Sequence, residues 1–142
     1  MSVSKIGFIA AALGGAVWLV KVALIWNNGG TNTGDGLVAV AFFIGFAGLL
    51  VALMAGGYSV VATAPIWLRA VVSVCATLLG LMLFTIMDDA VKGVYSNEGW
   101  LRDEIGILIT ASLALFVGVL GVVRSPEPQP KAPPAGGHRA EH

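Results

Sequence analysis

Ionisable side chains are scarce in this chain, and they gather most densely in one place. The stretch FTIMDDAVKGVYSNEGWLRDE, Phe84 to Glu104, holds Asp88, Asp89, Lys92, Glu98, Arg102, Asp103 and Glu104. Several carboxylates at one level are what a hard cation asks for. The spacing is not that of an EF-hand loop, however, and Lys92, Arg102 and Lys21 offset part of the negative charge. Adjacent acids point about 100° apart on a helix, so neither Asp88–Asp89 nor Asp103–Glu104 forms a ready acid–base dyad. The expectation is a solvated, partly paired face, with Lys21, Asp88, Asp89, Arg102, Asp103 and Glu104 as the residues of any outer polar site.

Lys21 is the one charge well inside an apolar run. It precedes Trp26 by five residues, which puts it about 8 Å below the interface that a tryptophan marks. Three readings stand side by side. The stem reaches the headgroups and leaves the ammonium in water, or the ammonium pairs with an acid at the same end of the bundle, or it serves transport or a ligand. Where it pairs, Asp88 or Asp89 is the expected partner. A thin polar stripe, Ser73, Thr77 and Gly80, leads through Phe84 to Asp88 along one helical face. Hydroxyls in such helices usually bond to backbone, and the other reading is a path for an ion or small solute.

The search for catalytic signatures ends there. The chain has no Walker-type glycine loop, HExxH, CxxC or GxSxG. Cys75 is the single cysteine, inside an apolar run, and reads as a packing residue. His138 and His142 both lie in the C-terminal tail, so neither a haem nor a histidine-held metal is expected at membrane depth. No cofactor, nucleic acid or enzymatic activity is expected.

The elements that position these residues are apolar helices. The 142 residues are 57% hydrophobic and 11% charged, with mean hydropathy +0.88, where soluble domains carry about a quarter charged residues. Spanning takes about 20 apolar residues, and four runs qualify: 6–26, 37–56, 66–87 and 101–123. Asn27 to Gly30 reads as a turn after the first, and Gly56-Gly57 as the end of the second. Pro65 opens the third, whose helical character continues past Met87 along the headgroups. Asp103 and Glu104 suit the positive end of the fourth helix. Residues 1–124 form a transmembrane domain, and 125–142, rich in Pro and Gly, form a disordered tail.

Lipid supplies no hydrophobic force between helices, so small residues must let backbones approach. They recur at four-residue spacing: Gly7, Ala11 and Gly15; Gly48, Ala52 and Gly56; Ala76 and Gly80; Gly106, Thr110, Ala114 and Gly118. Lys5, Arg69, Arg124, Lys131 and Arg139 fall on one side of the membrane, which the positive-inside rule makes cytoplasmic, with both termini. Four helices in so short a chain is an architecture shared with small multidrug exporters, fluoride channels, some holins and DoxX-like proteins. The exporters carry a glutamate in the middle of the first helix, where this chain has Lys21 near one end. The sequence therefore reads as an all-α four-helix bundle of the cell membrane and a non-enzymatic accessory or scaffold subunit. It would act through helix packing and an acidic outer patch, in a homo-oligomer or a larger membrane complex. A small oligomeric channel or transporter is the alternative.

Overall fold

The computed structural model describes residues 1–31, 36–94 and 99–124; the expected disordered tail lies outside them. Four helices follow one another: α1 Val3–Asn27, α2 Gly36–Val60, α3 Ile66–Val94 and α4 Trp100–Arg124. All four are long and apolar enough to cross a membrane. Local chemistry sets several ends. The Ser2 hydroxyl caps α1 by accepting from the Lys5 amide at 3.3 Å. Gly29 and Gly30 hold φ of 69° and 79°, the left-handed turn that stops α1. Pro65, which has no amide hydrogen to leave unpaired, accepts from the Leu68 and Arg69 amides as α3 begins.

One expected boundary differs, that of α2, while the expected continuation of α3 past Met87 is present. α2 runs through Gly56-Gly57 to Val60. In an apolar environment every backbone group seeks an internal partner, and this outweighs the modest helix penalty of two glycines. Gly57 also has a use there, since a β-carbon on it would meet the Ser73 Cα at 2.8 Å. α3 extends past Met87 to Val94.

The helices run antiparallel around a ring, α1 against α2 and α4, and α3 against α2 and α4. One end of the bundle carries Met1, Val60, Ile66 and Arg124, here the terminal end. The other carries Asn27, Gly36, Val94 and Trp100, the loop end. α1 is the central element and buries Gly7, Ala11, Gly14, Gly15, Trp18, Lys21, Val22 and Ile25, whereas α3 buries only Ser73.

Glycine contacts fasten α1. A β-carbon added at Gly14 would meet the Gly45 carbonyl oxygen at 2.9 Å, and one at Gly48 the Gly14 Cα at 2.8 Å. One at Gly15 would lie 2.7 Å from the Leu115 nitrogen, and Gly118 abuts Ala12. Of the expected packing positions, Gly7, Gly15, Gly48, Gly106 and Gly118 make such close approaches, and Ala76 faces Gly57. Gly56 behaves otherwise: nothing lies within 4 Å of its β-carbon position, and it lines a cleft together with Ala11, Ala52, Thr110 and Ala114.

Candidate functional site

The ionisable residues that the fold draws inward meet near the loop end, and each helix supplies one part. α1 contributes Trp18 and, one turn later, Lys21. The Trp18 ring is 1% exposed, donates from Nε1 to the Phe42 carbonyl oxygen at 2.9 Å, and fits beside Gly45 because that residue has no side chain. Phe42 of α2 stacks on Trp18 at 6.0 Å. Phe84 of α3 packs on its other side at 5.8 Å. These three rings form an apolar floor.

Above that floor the Lys21 ammonium donates to Glu104 Oε2 at 2.5 Å, with the two side chains 6% and 10% exposed. It also lies 5.5 Å from the Phe42 ring centroid, within range of a cation–π attraction. The expected partner, Asp88 or Asp89, is thus replaced by Glu104. The reason is topological. α4 is a neighbour of α1 in the ring, while α3 lies diagonally across it and touches α1 through the Phe84–Trp18 contact.

Asp88 takes a different partner, accepting from Lys92 one turn along α3 at 2.7 Å through Oδ2. Its Oδ1 is buried against Gly106 with no hydrogen-bond partner among the described residues. Gly106 is two residues beyond Glu104, so the two ion pairs stand close together on either side of α4. Asp89, Arg102 and Asp103 are exposed and make no ion pair among the described residues, although Asp89 and Asp103 add to the negative field around Lys92. Glu98 and Asp35 fall outside the described residues. Trp26 and Trp100 meet edge to face at 5.8 Å and cover the loop end.

The α3 hydroxyls are occupied. Ser73 donates across to the Met54 carbonyl oxygen of α2 at 2.7 Å, and Thr77 to the Ser73 carbonyl oxygen at 2.9 Å. Gly80 faces Leu53 of α2. Ser73 and Gly80 therefore serve the α2–α3 contact, while Thr77 bonds within α3.

Sequence reasoning missed Trp18, Gly14, Gly45 and Gly57. A tryptophan three residues from a mid-helix lysine, opposite an FFIGF run, was the available signal for the first of these. Chemically the cluster is a closed cation–carboxylate pair on an aromatic floor, with one further carboxylate oxygen left unpaired beside it. A comparison with known protein families, with curated proteins and with solved structures finds no match for this chain.

Proposed function

We propose that this is a non-enzymatic multi-pass protein of the cell membrane, with both termini cytoplasmic, that works as an accessory or scaffold subunit of a larger membrane complex. The observation that carries this reading is the outward face of α3. Val71, Val74, Leu78, Met82 and Ile86 lie along it with exposures of 51–62%, and α3 as a whole buries one residue. Where lipid provides no hydrophobic drive, a helix is held by its packing contacts, and this one has a complete side without any. A partner helix laid along that side would add them. Lys21 and Glu104, meanwhile, neutralise each other inside the bundle, as residues that maintain a scaffold would. The sidedness rests on charge. In the sequence the terminal side has Lys5, Arg69, Arg124, Lys131 and Arg139, against Lys92 and Arg102 in the loops of the other side.

Cys75, exposed on the same side of α3 and the single cysteine of the chain, is a native probe. A thiol-directed crosslinker in intact membranes, followed by mild-detergent purification and mass spectrometry, should return a Cys75 adduct with a different membrane protein that co-purifies in fixed ratio. Cys75–Cys75 dimers alone would move the assignment to a homo-oligomer. A monomer without adducts would refute the accessory role.

One observation favours a second reading, a small channel or transporter: the unpartnered Asp88 Oδ1 next to the Lys21–Glu104 pair. It requires flux through the purified protein in liposomes and loss of that flux in Asp88→Asn or Thr77→Val. Unchanged flux in both variants would dismiss this site as its path.

A further inference from the structure

A cleft of about 680 Å³ opens into the bundle between all four helices. On α2 its wall runs from Leu49 to Val60, a rise of about 16 Å. That is about the length of one leaflet's hydrocarbon, roughly half of the ~30 Å core, and on α3 the lining continues to Met87, beside Asp88. Gly56 keeps it open, because nothing stands within 4 Å of its β-carbon position. The lining is apolar apart from three hydroxyls: Ser4 and Ser59 at the terminal end, and Thr110 deeper in. An apolar space of this size left empty would forfeit dispersion contacts along its whole wall, and the bilayer supplies chains of the right length to fill it. The mouth is basic. Lys5 follows Ser4 directly, and the terminal end holds Lys5, Arg69 and Arg124 without a carboxylate among the described residues. Arg69 is stacked over Tyr58 at 3.8 Å, and of the three cations Lys5 is the one that adjoins a lining hydroxyl, Ser4, in the sequence.

We propose that this cleft seats one acyl chain of an anionic phospholipid, with the headgroup phosphate held at Ser4 and Lys5. This assignment does not depend on the accessory role, since it concerns the inner side of α3 and not its outward face. The test is native mass spectrometry of the full chain in a non-ionic detergent, titrated with dioleoyl phosphatidylglycerol or dioleoyl phosphatidylcholine. One phosphatidylglycerol should be retained per chain, in preference to phosphatidylcholine by about fivefold, the contribution of one basic residue near an anionic headgroup. Lys5→Gln should remove that preference.

Gly56→Leu and Ala114→Leu fill the cleft from opposite walls, and each should weaken retention by about tenfold or more. Gly93→Leu, also with an open β-carbon position but near the loop end, should leave it unchanged. A measurement on the unaltered chain stands independently of how the variants fold. Phosphatidylglycerol with a photoreactive acyl chain should label Leu49, Leu53 and Phe84, half-buried in the cleft wall, in preference to Leu78 and Met82 outside. Equal retention of both lipids, undiminished retention in both filled variants, or labelling confined to the outward face of α3 would each overturn the assignment.

Discussion

The Lys21–Glu104 pair gives the sharpest quantitative test of this fold. Lys21→Met removes the ammonium but keeps an unbranched stem of similar length. It strands the Glu104 carboxylate in a site where that side chain is 10% exposed. Removing one member of a buried pair costs about 3–5 kcal/mol, because the other charge stays behind without compensation. Glu104→Gln strands the ammonium instead, but Phe42 remains 5.5 Å away and recovers about 1 kcal/mol, so this loss should be the smaller. The double variant Lys21→Met/Glu104→Met puts two apolar side chains of fitting length into the same space. Such replacements are often neutral or better, so the double should return to within about 1–2 kcal/mol of the original chain. The cycle built from Lys21→Met, Glu104→Met and this double then has a coupling of about 3–8 kcal/mol, the two single losses less that of the double, at or above the upper end for residues in direct contact.

The assay is reversible unfolding in mixed micelles of a non-ionic detergent and dodecyl sulfate, followed by far-ultraviolet circular dichroism. Tryptophan emission gives a second probe, since Trp18 lies one turn from Lys21. A Lys21→Met variant within about 0.5 kcal/mol of the parent would show that the ammonium reaches the headgroups and never needed Glu104. Losses that simply add in the double variant would show that the two residues do not interact. Either result refutes the closed pair.

Other substitutions separate contacts that look alike in sequence. Gly15→Ala drives a β-carbon against Leu115 backbone and should cost about 1–3 kcal/mol in the same assay, whereas Gly56→Ala meets open space and should gain about 0.5–1 kcal/mol of helix propensity. Equal effects at the two sites would contradict the packing described. Ser73→Ala loses a hydrogen bond between helices and should cost about 0.6 kcal/mol, with Thr77→Val, whose hydroxyl serves its own helix, nearer to zero; the reverse order would remove Ser73 as a tie between α2 and α3. Lys92→Ala leaves Asp88 without its cation, but that pair is an i,i+4 contact with side chains 33% and 19% exposed. It should cost less than about 1 kcal/mol after screening, and a loss as large as that of Lys21→Met would mean that the two ion pairs form one network.

The four apolar runs were legible because length and hydropathy suffice to find a spanning helix. Their ends were less so. Gly56-Gly57 has the composition of a stop, and only a neighbouring helix at close range makes it a continuation. The same pair shows where reading small residues reaches its limit. Two adjacent glycines differ by about 100° in direction, and here one admits α3 while the other faces a cleft. Lys21 was legible as an anomaly but not its partner, because two acids on α3 and two on α4 lie at the same end. Ring order decides between them: α4 is adjacent to α1, and Asp88 already has Lys92 on its own helix.

Ring order also explains how one stripe of small residues on α1 serves two neighbours. Four-residue steps overshoot a full turn by about 40° each, so Gly7 and Gly15 point about 80° apart, close to the right angle between adjacent sides of a four-helix ring. Gly7 accordingly meets Ala55 of α2, and Gly15 meets Ala111 and Leu115 of α4. Trp18, within about 20° of Gly7, likewise faces α2, whereas Lys21 lies about 40° to the other side of Gly7 and reaches Glu104 of α4 through its long side chain. Everything that fixes three of the helices to one another therefore lies along one face of α1. α3 is left with smaller contacts to α2 and α4, and it meets α1 where Phe84 packs on Trp18. A loosely held helix with a cleft on one side and a bare apolar face on the other is where lipid and partner chains would be expected to compete for contact. That is why both proposals fall on α3 and neither falls on the polar cluster that first draws the eye in the sequence.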